Sequence, residues 1–128
     1  MKYLTNYIEQ AHTEALNRAG AFFAFSTSQF NEAKKEGVKY SNLEYGLICP
    51  TDNCETLLKE LDTTYKAGIK QDIAENGIDN IIIRELANHE AYYTGDTTST
   101  REALADYPIT LEQIQSIYNK EAKKKNNY

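Results

Sequence analysis

Between Glu85 and Asp96 the sequence reads Glu-Leu-Ala-Asn-His-Glu-Ala-Tyr-Tyr-Thr-Gly-Asp, so that one histidine, three carboxylates, two adjacent tyrosines and a Thr-Gly-Asp turn fall within twelve residues. Glu85 and His89 are four apart, which makes them neighbours on one face of a helix, and Glu90 and Asp96 can swing in from the turn that follows. A carboxylate–imidazole cluster of this kind is the raw material for holding a divalent metal or for moving a proton. The spacing, however, is neither His-Glu-x-x-His nor Glu-x-x-His, the arrangements that known metal-binding helices use, which leaves Glu85 and His89 as weak metal candidates only.

Each of these residues also has a plain structural use. Asn88 can bond main-chain groups at a helix end, Gly95 supplies a left-handed backbone, and Asp96 ahead of Thr97 and Thr98 is placed to cap the next helix. If the local chain is extended, only one of Tyr92 and Tyr93 can face a core, and the other offers the flat amphipathic surface enriched at protein interfaces. The candidate site is therefore a partner-binding surface made of Glu85, Asn88, His89, Glu90, Tyr92, Tyr93 and Asp96. No catalytic residue is assigned, and no cofactor is expected. No Gly-rich phosphate loop, Gly-x-Ser-x-Gly elbow or paired Cys-His arrangement argues for an enzyme.

Length and composition narrow the setting. A chain of 128 residues suits one domain, no apolar run is long enough to span a membrane, and the first ten residues lack the pattern of a signal peptide, so a cytoplasmic protein is expected. Cys49 and Cys54 have no second Cys or His pair near them and read as two free, partly buried thiols. Residues 44–96 carry eleven carboxylates against four basic side chains, a balance that disfavours direct nucleic-acid binding.

The elements that must position the site follow from periodicity and caps. Tyr3, Leu4, Tyr7, Ile8, Ala11, Ala15 and Leu16 predict a first helix ended by Gly20. Ala21–Phe25 reads as a buried strand, with Phe22, Phe23 and Phe25 expected in the core. Ser26 and Gln29 form a capping box for a helix to about Glu36, Lys39–Glu44 reads as loop, and Tyr45–Cys49 as a strand stopped by Pro50. Leu57, Leu61, Tyr65, Ile69 and Ile73, supported by Leu58, give a long helix to about Glu75. Ile78, Ile81, Ile82, Leu86 and Ala87 continue as helix with Asp79 as a plausible cap, although Ile81-Ile82-Ile83 would equally suit a strand. A short helix should run through Leu104, and Thr110 with Gln113 caps a final helix carrying Leu111, Ile114, Ile117 and Tyr118. The expectation is a mainly helical α+β single domain of about five helices with a two- or three-stranded sheet, and a frayed basic tail over 120–128.

The segments Phe22-Phe23-Ala24-Phe25-Ser26, Glu85-Leu86-Ala87-Asn88-His89-Glu90 and Tyr93-Thr94-Gly95-Asp96 together resemble a family of small uncharacterised proteins of bacteria, phages and plasmids. The likeness spans about Ala21 to Ile114, and the chain departs from it at Ala105-Asp106-Tyr107-Pro108. The resemblance implies a mobile-element setting and a protein partner, with a host defence nuclease complex as one target class for a stoichiometric inhibitor. A small metal- or ligand-binding enzyme centred on His89 and Glu90 is the alternative reading.

Overall fold

A computed structural model describes residues 1–125 of the chain. The class is the expected one, mainly helical α+β, with a small antiparallel sheet. The chain divides into two compact units, residues 2–68 and the stretch from residue 69 onward.

In the first unit, α1 (Leu4–Ala19) ends at Gly20, as its apolar spacing and the glycine predict. Next comes β1 (Phe22–Phe23), shorter than expected because Ala24 gives the last pairing bond, to the Gly46 carbonyl, and Phe25 already belongs to the next cap. Ser26 Oγ accepts from Gln29 N, and Gln29 Oε1 accepts from Phe25 N at 2.6 Å, which opens α2 (Thr27–Ala33). The stretch expected as loop holds β2 (Tyr40–Asn42), which pairs with β3 (Leu47–Pro50) in a hairpin, and the sheet order is β1-β3-β2. Pairing with β3, which sequence patterning alone does not reveal, overrides the polar character of Ser41 and Asn42.

The hairpin turn explains why β3 starts at Leu47 and not at Tyr45. Leu47 N donates to Glu44 O at 2.9 Å, and both central residues, Tyr45 (φ 52) and Gly46 (φ 79), have left-handed backbones, the combination of a type I′ turn. Glycine suits its position twice over, since a Cβ at 46 would lie 2.5 Å from Phe25 Cε1. Tyrosine does not suit its own: a bulky residue there costs about 1–2 kcal/mol.

The core of this unit is Ala15, Cys49 and Leu57, with Leu16, Ala19, Ala21, Leu43, Cys54 and Leu61 packed on it. A second cluster joins α2 to the sheet: Tyr40 meets Phe22 and Phe30 edge-on, with ring centroids 5.5 and 5.7 Å apart. Phe22 is thus half-buried, but Phe23 and Phe25 are exposed, contrary to the expectation that all three lie in the core. Period-2 alternation sends Phe23 to the opposite side of the strand from Phe22, and Phe25 lies past the last strand bond.

Thr51–Asn53 forms a single 3₁₀ turn before α3 (Cys54–Asn76), which continues into the second unit. Leu57 is buried, but Leu58, expected to support the same stripe, is 51% exposed because it is rotated a full residue, about 100°, from it. In the second unit α4 (Ile78–Asn88) resolves the Ile81-Ile82-Ile83 ambiguity as helix, with Gly77 and not Asp79 at its N-cap. It packs against α5 (Ala91–Thr94), α6 (Thr98–Ala103) and α7 (Leu111–Lys125). Ile81, Ile82, Leu86, Ala91, Leu104 and Ile114 are buried there, while Leu111 is exposed in the first turn of its helix. The α7 cap is the expected box: Gln113 N donates to Thr110 Oγ1 at 3.1 Å and Thr110 N to Gln113 Oε1 at 2.7 Å. Of the basic tail expected over 120–128, residues 126–128 lie outside the described residues; α7 carries the rest as helix.

Candidate functional site

Two charged residues side by side on α4, Arg84 and Glu85, are both buried, and that is tolerable only if every charge finds a partner. Arg84 makes a two-pronged bond to Asp72 of α3, Nη1 to Oδ1 at 2.8 Å and Nη2 to Oδ2 at 2.9 Å, and its Nε donates to Glu85 Oε1 at 2.9 Å. Tyr107 Oη donates to Asp72 Oδ2 at 2.5 Å and Asn76 Nδ2 to Oδ1 at 2.7 Å. Asp72, fully buried, thus accepts four bonds, and the flat guanidinium fork matches its carboxylate plane.

The electrostatics follow from that packing. Burial alone would raise the Asp72 carboxyl, but the bonds from Arg84, Tyr107 and Asn76, together with the guanidinium charge, outweigh it and hold the group below the usual carboxylate range. Burial opposes the charge on Arg84 as well, and the carboxylates of Asp72 and Glu85 more than restore it. Tyr107 is pushed above its ordinary value, first by burial and then by donating to Asp72.

Above this network lies the segment singled out in the sequence. Glu85, in contrast to its neighbours Asn88 and Glu90, is buried, with one carboxylate oxygen held by Arg84 of the same helix. Its second oxygen, Oε2, is 3.4 Å from His89 Nε2, and the imidazole is partly exposed. The main-chain carbonyl of Glu85 accepts from Thr100 Oγ1 at 3.2 Å, which ties α6 to the end of α4. Asn88 and Glu90 are exposed, and Glu90 takes a left-handed backbone with φ 54.

The Tyr92-Tyr93 stretch is a helical turn and not extended, because Glu90 and Gly95, both left-handed, close it at its two ends. Even so the two rings part company. Tyr92 is half-buried and stacks on Tyr118 of α7 at 5.7 Å with the ring planes 5° apart, while Tyr93 is 94% exposed. Burial first, then Glu121 and Tyr118, push the Tyr92 phenol up to about 12. Asp96 works at the start of α6, where its Oδ1 accepts from Thr98 N at 2.9 Å and Thr98 Oγ1 at 2.6 Å, bonds that lower its carboxyl pKa.

The arrangement therefore brings Asn88, His89, Glu90, Tyr93 and Asp96 to the outside and turns Glu85 and Tyr92 inward. Glu85 already serves Arg84 and His89, and no group of three or more His, Cys, Asp and Glu side chains able to hold a metal forms among the described residues. A family model matches residues 4–125. The chain belongs to DUF7659, a family of unknown function. No curated protein and no solved structure matches it.

The buried network of this family member was not found from the sequence. Asp72, Arg84 and Tyr107 come from three separate segments, and Asp72 stands among carboxylates that look alike in the sequence. One signal was available: Asp72 lies between Ile69 and Ile73, on the apolar stripe of its helix, where a carboxylate demands a buried cation. Elsewhere in the acidic stretch Glu55 is paired to Lys59, Glu60 to Arg18 and Asp62 to Lys66. No helix among the described residues is long and apolar enough to cross a membrane.

Proposed function

We propose that the protein acts by binding another protein, through a contact surface formed by Asn88, His89, Glu90, Tyr93 and Asp96 and held in shape from within by Glu85 and Tyr92. The observation that carries this reading is Tyr93, a large aromatic side chain left 94% exposed on a turn whose neighbours on both sides are fixed. Tyrosine loses little freedom on binding and offers both a flat apolar face and a hydroxyl, which is why it anchors interfaces. A turn closed by two left-handed residues and anchored on a buried ion network presents that ring with little ordering left to do.

The partner class that the resemblance offers is a host defence nuclease complex, met as a stoichiometric inhibitor by a protein from a phage or plasmid. The test is quantitative capture of a partner from lysate of the producing cells by the wild-type protein and by Tyr93→Ala. The reading expects an affinity loss of about ten-fold or more with an unchanged melting temperature. Equal capture by both proteins would contradict it.

A further inference from the structure

The unit formed by residues 2–68 carries an apolar surface unrelated to the candidate site. An open groove of about 520 Å³ is lined by Phe23, Leu43, Glu44, Tyr45, Leu47 and Leu58. Phe25 extends the surface, its ring stacked on Phe23 with centroids 6.2 Å apart and planes 9° from parallel. Phe23 is 54% exposed, Phe25 72%, Tyr45 88% and Leu58 51%. Three aromatic rings and a leucine exposed to that degree amount to an apolar patch on the order of 500 Å², a size that is often functional.

The patch is built and not incidental. Phe25 rests against Gly46, in the space a Cβ would need, and Tyr45 is kept in a left-handed backbone that favours glycine or asparagine. The strain at Tyr45 brings no burial inside the unit, since the side chain stands in water, so its return must come from outside.

We infer that this groove is the contact face of a two-fold symmetric homodimer in which Tyr45 of each copy enters the groove of the other between Phe23 and Leu58. A second copy fits for two reasons. The face carries its own knob and its own hole, side by side, as a self-complementary contact requires. The other is area: about 500 Å² from each copy gives about 1,000 Å² in total, the lower bound for a specific interface.

Sedimentation equilibrium of the full chain, from roughly micromolar to millimolar concentration, tests this directly. The expected result is a reversible monomer–dimer equilibrium that Tyr45→Asn shifts at least ten-fold toward monomer, with circular dichroism unchanged because asparagine suits the turn. A monomer mass at every concentration would overturn the inference, and so would a dimer that Tyr45→Asn and Phe25→Ser both leave intact. Protection of Phe23 and Tyr45 from oxidation only when lysate is added would equally overturn it, because a foreign protein would then be the occupant.

Discussion

From residue 69 onward three charged side chains and a phenol are shut away from water, whereas between residues 22 and 58 two phenylalanines, a tyrosine and a leucine stand in it. The first arrangement costs desolvation and yields geometry, because Arg84 can satisfy Asp72 and Glu85 together in only one way. The second leaves apolar surface uncovered and yields a place to be covered. Buried charge thus marks where the molecule is made rigid, and exposed aromatic surface marks where the proposed contacts would form. The segment from Glu85 to Asp96 combines both, with a carboxylate drawn inward and a tyrosine turned out.

The contrast would break first at Asp72. Asp72→Ala leaves the Arg84 guanidinium buried without its main partner and should lower stability by about 3–5 kcal/mol, read from urea unfolding. A loss under 1 kcal/mol would mean that the network is not closed to water. Tyr107→Phe removes one bond to a charged acceptor and should cost about 1.5–3 kcal/mol, with non-additivity in a double-mutant cycle with Asp72→Asn.

Acid sharpens the same point. Because the folded-state Asp72 carboxyl lies below its unfolded value, its contribution is fully present above the ordinary carboxylate range and is lost as pH falls through the folded value. Melting temperature should drop as pH goes below about 4, and Asp72→Asn, less stable at neutral pH, should show a shallower acid limb.

In the sheet unit the effects are smaller and of both signs. Gly46→Ala meets a left-handed backbone and the Phe25 ring, and should cost about 1–3 kcal/mol. Tyr45→Asn relieves strain and should raise stability by up to about 1 kcal/mol. Phe25→Ser should change monomer stability by less than about 0.5 kcal/mol, as expected of a side chain already in water. A large loss there would show that the exposed rings support their own unit after all.

What was legible in the sequence follows the same division. The long helices and the caps at Ser26 and Thr110 are local, written within four residues, and they start where the pattern puts them, although α2 ends at Ala33 and not near Glu36. Tyr40–Asn42 was not legible as a strand, since three mixed residues become β2 only by pairing with β3. Phe22, Phe23 and Phe25 look equivalent as a run and are not, because alternation and the closeness of the Ser26 cap separate them. Asn88, His89, Glu90, Tyr93 and Asp96 were singled out from their density in one segment, and the structure leaves them exposed or partly exposed. Asp72 and Tyr107 escaped because their meaning lies in contacts made 12 and 35 residues apart in the chain.

The central claim, that Tyr93 is an outward anchor for a protein partner, is tested most directly by hydroxyl-radical footprinting of the protein in dilute buffer and in lysate of the producing cells. The account predicts that Tyr93 is readily oxidised in buffer and protected in lysate, while the half-buried Tyr92 reacts weakly in both. Tyr93 oxidised equally in buffer and in lysate would contradict it.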